Sequence, residues 1–178
     1  METKPTPESG REMPRWYALY TKSRNEKKVA ARLSERGYEC YLPLQKTMRK
    51  WSDRKKLVEV PLINSYVFVR MVLSQRFDVL QDPGAVFFIN FERLPAPVAD
   101  RDIEYLKRIL GEGFEVEALH EHVEVGQKVR VAVGQLMGME GELVEHRGGQ
   151  KVLVRIENIP FSLMVSLPLE FVEKVKQQ

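Results

Sequence analysis

The run Tyr66-Val67-Phe68-Val69-Arg70-Met71 limits what this chain can fold into more than any other stretch. Its β-branched and aromatic residues predict a strand, and side chains alternate between the two faces of a strand. Val67, Val69 and Met71 therefore share one face, and Tyr66, Phe68 and Arg70 share the other. A strand that is apolar on both sides belongs inside a sheet with cover on both faces. Leu57-Val58-Glu59-Val60 just before it reads as another strand. The two are separated by Pro61 to Ser65, where proline lacks a ladder donor and Asn64-Ser65 is turn chemistry. What covers the aromatic side of the second strand is the functional question.

Composition narrows the class. With 178 residues, 43% hydrophobic and 30% charged, the chain is long enough for one globular domain or two small ones. No apolar run approaches the ~20 residues that span a bilayer, and no signal-like apolar core stands near Met1. Met1 to Pro14 reads as a tail. Cys40 is the single cysteine, which forbids an intrachain disulfide and points to the cytoplasm. A net charge of +3 neither demands nor forbids nucleic acid, so any such contact needs a local basic patch.

Taken in order, Trp16-Tyr17-Ala18-Leu19-Tyr20-Thr21 predicts a strand with Tyr17 and Leu19 on one face and Trp16, Ala18 and Tyr20 on the other. Ser23-Arg24-Asn25-Glu26 fits a capping box, opening a helix that runs to about Arg36 and stops at Gly37. Glu39 to Gln45 predicts another strand. Beyond it Lys46, Arg49, Lys50, Arg54, Lys55 and Lys56 surround Trp51, with Ser52-Asp53 as a hairpin tip. As residues alone, this stretch reads equally well as a solvated loop or as a phosphate-contacting arm with Trp51 ready to stack on a base.

Ser74 to Gln81 predicts a short helix with Phe77 and Leu80 inward, stopped at Asp82-Pro83-Gly84. Val86 to Phe91 predicts a strand with Phe87, Ile89 and Phe91 on one side and Val86, Phe88 and Asn90 on the other. After an extended connector at Leu94 to Val98, Asp100 is placed to cap a helix with an Ile103, Leu106 and Leu110 stripe. The pattern suits an α+β sandwich with helices on one face of an antiparallel sheet. That leaves Tyr20, Tyr66, Phe68 and Phe88 expected on the opposite face, as an exposed interaction patch. The alternative is cover by a connector, a loop or a second domain.

Residues 113–122 read as a linker between residues 15–112 and 123–178. The last segment alternates cleanly at Val129 to Val133 and carries Gly134, Gly138 and Gly141. Further short strands follow around Gly148-Gly149 and at Val165 to Val172. That texture predicts a small β-barrel.

At this point a family resemblance emerges. The segment Gly126-Gln127-Lys128-Val129-Arg130-Val131, with Gly134 to Gly141 and Leu143-Val144, resembles a KOW module, an SH3-like barrel. The first half resembles the RRM-like N-terminal (NGN) domain of NusG-type transcription elongation factors. Trp16 to Tyr20, the capped helix, Pro61 to Val69 and Gly84 to Phe91 carry that likeness. A KOW motif also occurs in ribosomal proteins, but the two together in this order are specific. Where the general factor usually has Phe-Pro-Gly-Tyr, this chain has Ile63-Asn64-Ser65-Tyr66. That departure, and Met48 to Lys56 leading into Val58 to Leu62, resembles the operon-specific RfaH type and most of all the UpxY-type antiterminators of capsular polysaccharide operons.

The resemblance implies a monomeric factor that binds the clamp helices of the largest RNA polymerase subunit and suppresses pausing or termination by bridging the clamp. The polymerase-binding positions it implies are Tyr20, Tyr66, Phe68 and Phe88, with Pro97 and Val98 at the rim. It implies contact of Lys46, Arg49, Lys50, Trp51, Arg54, Lys55 and Lys56 with non-template DNA. It also implies a loop at Leu136, Met137 and Met139 through which the barrel takes a ribosomal protein or termination factor.

Rival classes fare worse. His120, His122 and His146 have no cysteine partners or metal-helix spacing, and no phosphate loop or nucleophile elbow occurs, so neither an enzyme nor a cofactor is expected. An RNA- or ribosome-binding module acting without polymerase could stack bases on the aromatic face. Such a face should be lined with cations, and Arg70 is the one strand cation placed there.

Overall fold

The structure, a computed structural model, describes residues 13–50, 55–120, 126–146, 149–155 and 159–175. The first half contains β1 (Arg15–Thr21), α1 (Glu26–Glu35), β2 (Glu39–Tyr41), β3 (Leu44–Lys50), β4 (Lys55–Pro61), β5 (Tyr66–Met71), α2 (Arg76–Val79) and β6 (Ala85–Phe88). It closes with β7 (Asn90–Phe91), β8 (Leu94–Pro95), β9 (Pro97–Val98) and α3 (Asp100–Gly111). The main sheet runs β2-β5-β1-β6, with β9 also pairing β1. β1 and β5 lie antiparallel, with Ala18 opposite Phe68 and Tyr20 opposite Tyr66. Residues opposite one another share a face. Tyr17, Leu19, Val67, Val69 and Met71 accordingly pack on Val29 and Leu33 of α1 and Val79 of α2.

Local details depart from the sequence expectations for physical reasons. The capping box does not form: α1 starts at Glu26 itself, Arg24 is left-handed with φ 60°, and the N-cap residue Asn25 makes no side-chain capping hydrogen bond. Glu26 is instead drawn inward, where its carboxylate accepts the Ser65 amide at 2.7 Å. Gly37, at φ +88°, ends the helix as read. In α2 the four residues offer one inward slot, which Val79 takes, leaving Phe77 62% exposed under the Arg76 guanidinium. In α3 Asp100 is the first helical residue rather than the cap, and its carboxylate lies 3.5 Å from Arg70.

The largest correction concerns which face α3 covers. Its Ile103, Leu106 and Ile109 join Trp16, Ala18, Phe68 and Val98, on the side of the sheet away from α1. Helices therefore cover both faces, not one.

The second half is a six-stranded antiparallel sheet in the order β10-β14-β13-β12-β11-β15, the barrel expected from the sequence. Its strands are β10 (Val116–Leu119), β11 (Gln127–Val131), β12 (Glu140–His146), β13 (Gly149–Arg155), β14 (Ser162–Val165) and β15 (Val172–Lys174). β10 lies inside the stretch read as a linker and pairs β14, with Val116 opposite Val165. An edge strand paired on one side needs little apolar pattern of its own, and β14, buried at every residue, supplies it. Gly141 is required by close approach: a Cβ there would stand 2.8 Å from the Leu153 carbonyl oxygen.

Candidate functional site

Two surfaces follow from this framework. The first is the aromatic side of the main sheet. Tyr20 and Tyr66 meet edge to face at 5.3 Å, and Tyr41 of β2 stacks on Phe68 at 6.3 Å. Burial pushes the Tyr66 and Tyr41 phenols up, helped by Tyr20 at the first and Glu104 at the second. Phe68 is fully buried, and Tyr66 and Val98 are nearly so, while Tyr20 is half-buried and Pro97 exposed.

The expected bare face is thus largely covered. Over Trp16 and Phe68 the cover is α3, with the Lys107 ammonium 5.8 Å from the Trp16 ring and 5.7 Å from that of Tyr41. Over Tyr66 the cover comes from the barrel: the Phe161 ring meets it at 5.6 Å, and His120 backs Phe161 at 6.0 Å. The Tyr105 hydroxyl of α3 donates to the Gly138 carbonyl of the barrel at 3.4 Å. Beside that contact a cleft of about 400 Å³ stays open, lined by Arg101, Tyr105, Lys128, Glu140 and Arg155 among others.

Phe88 is not on this face. β6 pairs β1 with Leu19 opposite Phe88 and Tyr20 opposite Phe87, so Phe88 is buried against Tyr17 on the α1 side. Phe87 takes the place expected for it, stacked on Tyr20 at 4.9 Å and 45% exposed. Sequence reasoning missed Phe87 because both phases of β6 are apolar, and hydrophobicity cannot then choose a register.

The second surface is the ribbon β3–β4, whose register sets Lys46 opposite Glu59, Met48 opposite Leu57 and Lys50 opposite Lys55. The basic stretch is therefore mostly paired strand rather than loop. Lys46, Lys50, Lys55 and Lys56 are exposed. Arg49 belongs to β3, opposite Lys56, whereas Trp51 and Arg54 lie outside the described residues. Lys27 of α1 donates to the Glu59 carbonyl at 2.8 Å, which ties the ribbon base to the body. The barrel loop keeps less than expected for a partner: Leu136 and Met139 are buried, and Met137 is 65% exposed. Among the described residues no group of His, Cys, Asp and Glu could hold a metal ion, and no helix is long and apolar enough to cross a membrane.

A two-faced antiparallel sheet flanked by helices, a projecting basic ribbon and a C-terminal barrel can be compared with known proteins. The family model described as "Transcription termination factor nusG" matches residues 14–107. The chain belongs to the NusG family. Curated relatives include the transcription termination/antitermination protein NusG of Thermus thermophilus, 25% identical over 90% of this chain and 97% of its own. The same protein of Pseudomonas aeruginosa is 26% identical over 90% and 98%. Among solved structures, one described as "Domain interaction in Thermotoga maritima NusG" superposes with a TM-score of 0.58 at 24% identity, covering 92% of this chain and 98% of that one. The NusG-type α+β fold with a C-terminal β domain is thereby established for this chain.

Proposed function

We propose that this NusG-family chain is a monomeric, cytoplasmic antitermination factor that docks on RNA polymerase through the aromatic face of its first sheet. Tyr20 and Tyr66 form the centre, Pro97 the rim, and Phe87 replaces Phe88 as the exposed anchor, while Phe68 and Val98, buried in the core with α3, back the face from within. The partner surface is the clamp helices of the largest subunit, and bridging the clamp suppresses pausing or termination. The ribbon cations contact non-template DNA. Ile63-Asn64-Ser65 and the character of the ribbon support an operon-specific role of the capsular polysaccharide type. A ribosomal protein or termination factor would meet the barrel at Met137.

One observation carries the reading. The rings run unbroken from exposed Phe87 through Tyr20 to Tyr66, where the ring that closes the row belongs to the other domain. Cover supplied by a separate domain can be withdrawn, whereas cover from α3 is part of the same core. The polymerase site is therefore opened by departure of the barrel, with Phe87 and Tyr20 available beforehand. Base stacking on this face fits less well, because Arg70 is engaged by Glu39 at 3.3 Å and Asp100 at 3.5 Å.

The test is binding of purified full-length chain to polymerase elongation complexes. Phe87→Ala and Tyr66→Ala should each weaken binding about tenfold or more, as truncation of a buried aromatic anchor does. Undiminished binding by both folded variants would remove this face from the mechanism.

A further inference from the structure

The ribbon β3–β4 carries a feature that phosphate contacts do not use. Its two faces differ. Gln45, Thr47, Val58 and Val60 on one face are half-buried, while Met48 and Leu57 on the other stand 58% and 54% exposed. Met48 and Leu57 are directly opposite one another, so their side chains form one apolar platform. The next rung on the same face, about 6.8 Å toward the tip, is Lys50 opposite Lys55. Like charges set directly opposite destabilise a ribbon in isolation. No acid stands at that rung, so the platform is bordered on its tip side by cations that favour a polyanion.

Resting on the reading of the ribbon as a nucleic-acid arm, we propose that Met48 and Leu57 form a seat for one unstacked base of a single strand. Lys50 and Lys55 hold the adjoining phosphates. A duplex hides its base faces in the stack, and a wide apolar platform gains nothing from a phosphate. A single strand presents both the charge and the flat apolar ring that this face matches. Alkyl side chains contact base rings and the thymine methyl without reading a hydrogen-bond pattern, so the seat selects unpaired over paired DNA rather than a sequence.

The experiment uses the full-length chain and three fluorescently labelled probes of equal length: an oligothymidylate, the same strand with its central bases removed, and a duplex. Binding is read by anisotropy across a salt series. The oligothymidylate should bind about tenfold more tightly than the abasic strand, the gain expected from taking about 55 Å² of apolar surface out of water. The pair M48S/L57S should erase that difference while leaving the salt slope unchanged, and the apolar swap M48L/L57M should keep it. K50E/K55E should weaken both strands and flatten the salt slope. Equal binding of base-bearing and abasic strands, or full discrimination by M48S/L57S, overturns the seat while the arm stands. The same holds if M48S/L57S loses affinity for polymerase alone, which would make the platform a protein contact. If K50E/K55E changes nothing, or no strand binds, the arm itself fails and the seat with it.

Discussion

Ser65 shows how one residue carries both strain and position. It is a non-glycine residue at φ 64°, in the turn that delivers Tyr66 to β5. Its carbonyl accepts the Thr21 amide at 2.8 Å and its amide donates to the buried Glu26 carboxylate at 2.7 Å. Two hydrogen bonds from separate elements thus hold a backbone conformation that costs an L-residue about 1–2 kcal/mol. Glycine relieves that cost but loses about 0.5–1 kcal/mol of chain entropy on folding. Ser65→Gly should therefore stabilise the chain by about 0.5–1 kcal/mol, measured as a higher urea midpoint at unchanged slope. A destabilised variant would show that the hydroxyl contributes more than the backbone strain removes. Tyr66 was legible from alternation alone, but the strain before it was not, because a serine carries no mark of its φ.

At the scale of elements, α1 is fastened to the approach to β6 by a bidentate pair. Arg32 Nε and a terminal nitrogen donate to the two Asp82 oxygens at 2.7 and 2.6 Å, and Gly84 donates its amide to Asp82 at 2.8 Å. The Arg32 hydrogen bond, opposed in part by burial and aided by the Gly84 amide, holds the Asp82 carboxyl below the usual carboxylate range. A carboxyl depressed in the folded state contributes stability that is complete above its unfolded value of about 3.9 and is lost as pH falls through the folded value. Asp82→Asn should be less stable at pH 7 and should lose less further stability below about pH 4, as read by urea titrations over a pH series. Equal acid slopes in the two proteins would assign the acid sensitivity elsewhere. Elements differed in how far the sequence revealed them. β5 alternates between an aromatic and an aliphatic set that cannot be exchanged, so its faces could be read, and the register of β1 against it fixes the faces of β1, which carries aromatics on both. β6 offers Phe87 or Phe88 with equal hydrophobicity, and its partner β1, shifted in register between Tyr20 and Thr21, decides between them. The stripe of α3 announces that one side is buried, but not against which face of which sheet.

For the whole molecule, the consequence lies in where the barrel sits. Its Phe161 closes the aromatic row at Tyr66, while the charged cleft beside Tyr105 shows that the two halves meet over part of their facing surfaces. No local pattern could reveal this, because Phe161 and Tyr66 are far apart in the chain and neither residue carries a mark of the ring it meets. If the aromatic face is the polymerase site, the two members of this ring pair must act with opposite sign. Tyr66→Ala removes an anchor and weakens polymerase binding. Phe161→Ala removes only cover and shifts the balance toward the open form. An aromatic pair contributes about 0.5–1.5 kcal/mol beyond its buried area. Its loss should raise apparent polymerase affinity about two- to tenfold, provided the open form is the minor one. Hydrogen exchange gives an independent reading: Phe161→Ala should raise exchange around Tyr66 while Val152 to Val154, in the barrel core, stay protected. If both variants weaken polymerase binding alike, the barrel is part of the docking surface and not its cover.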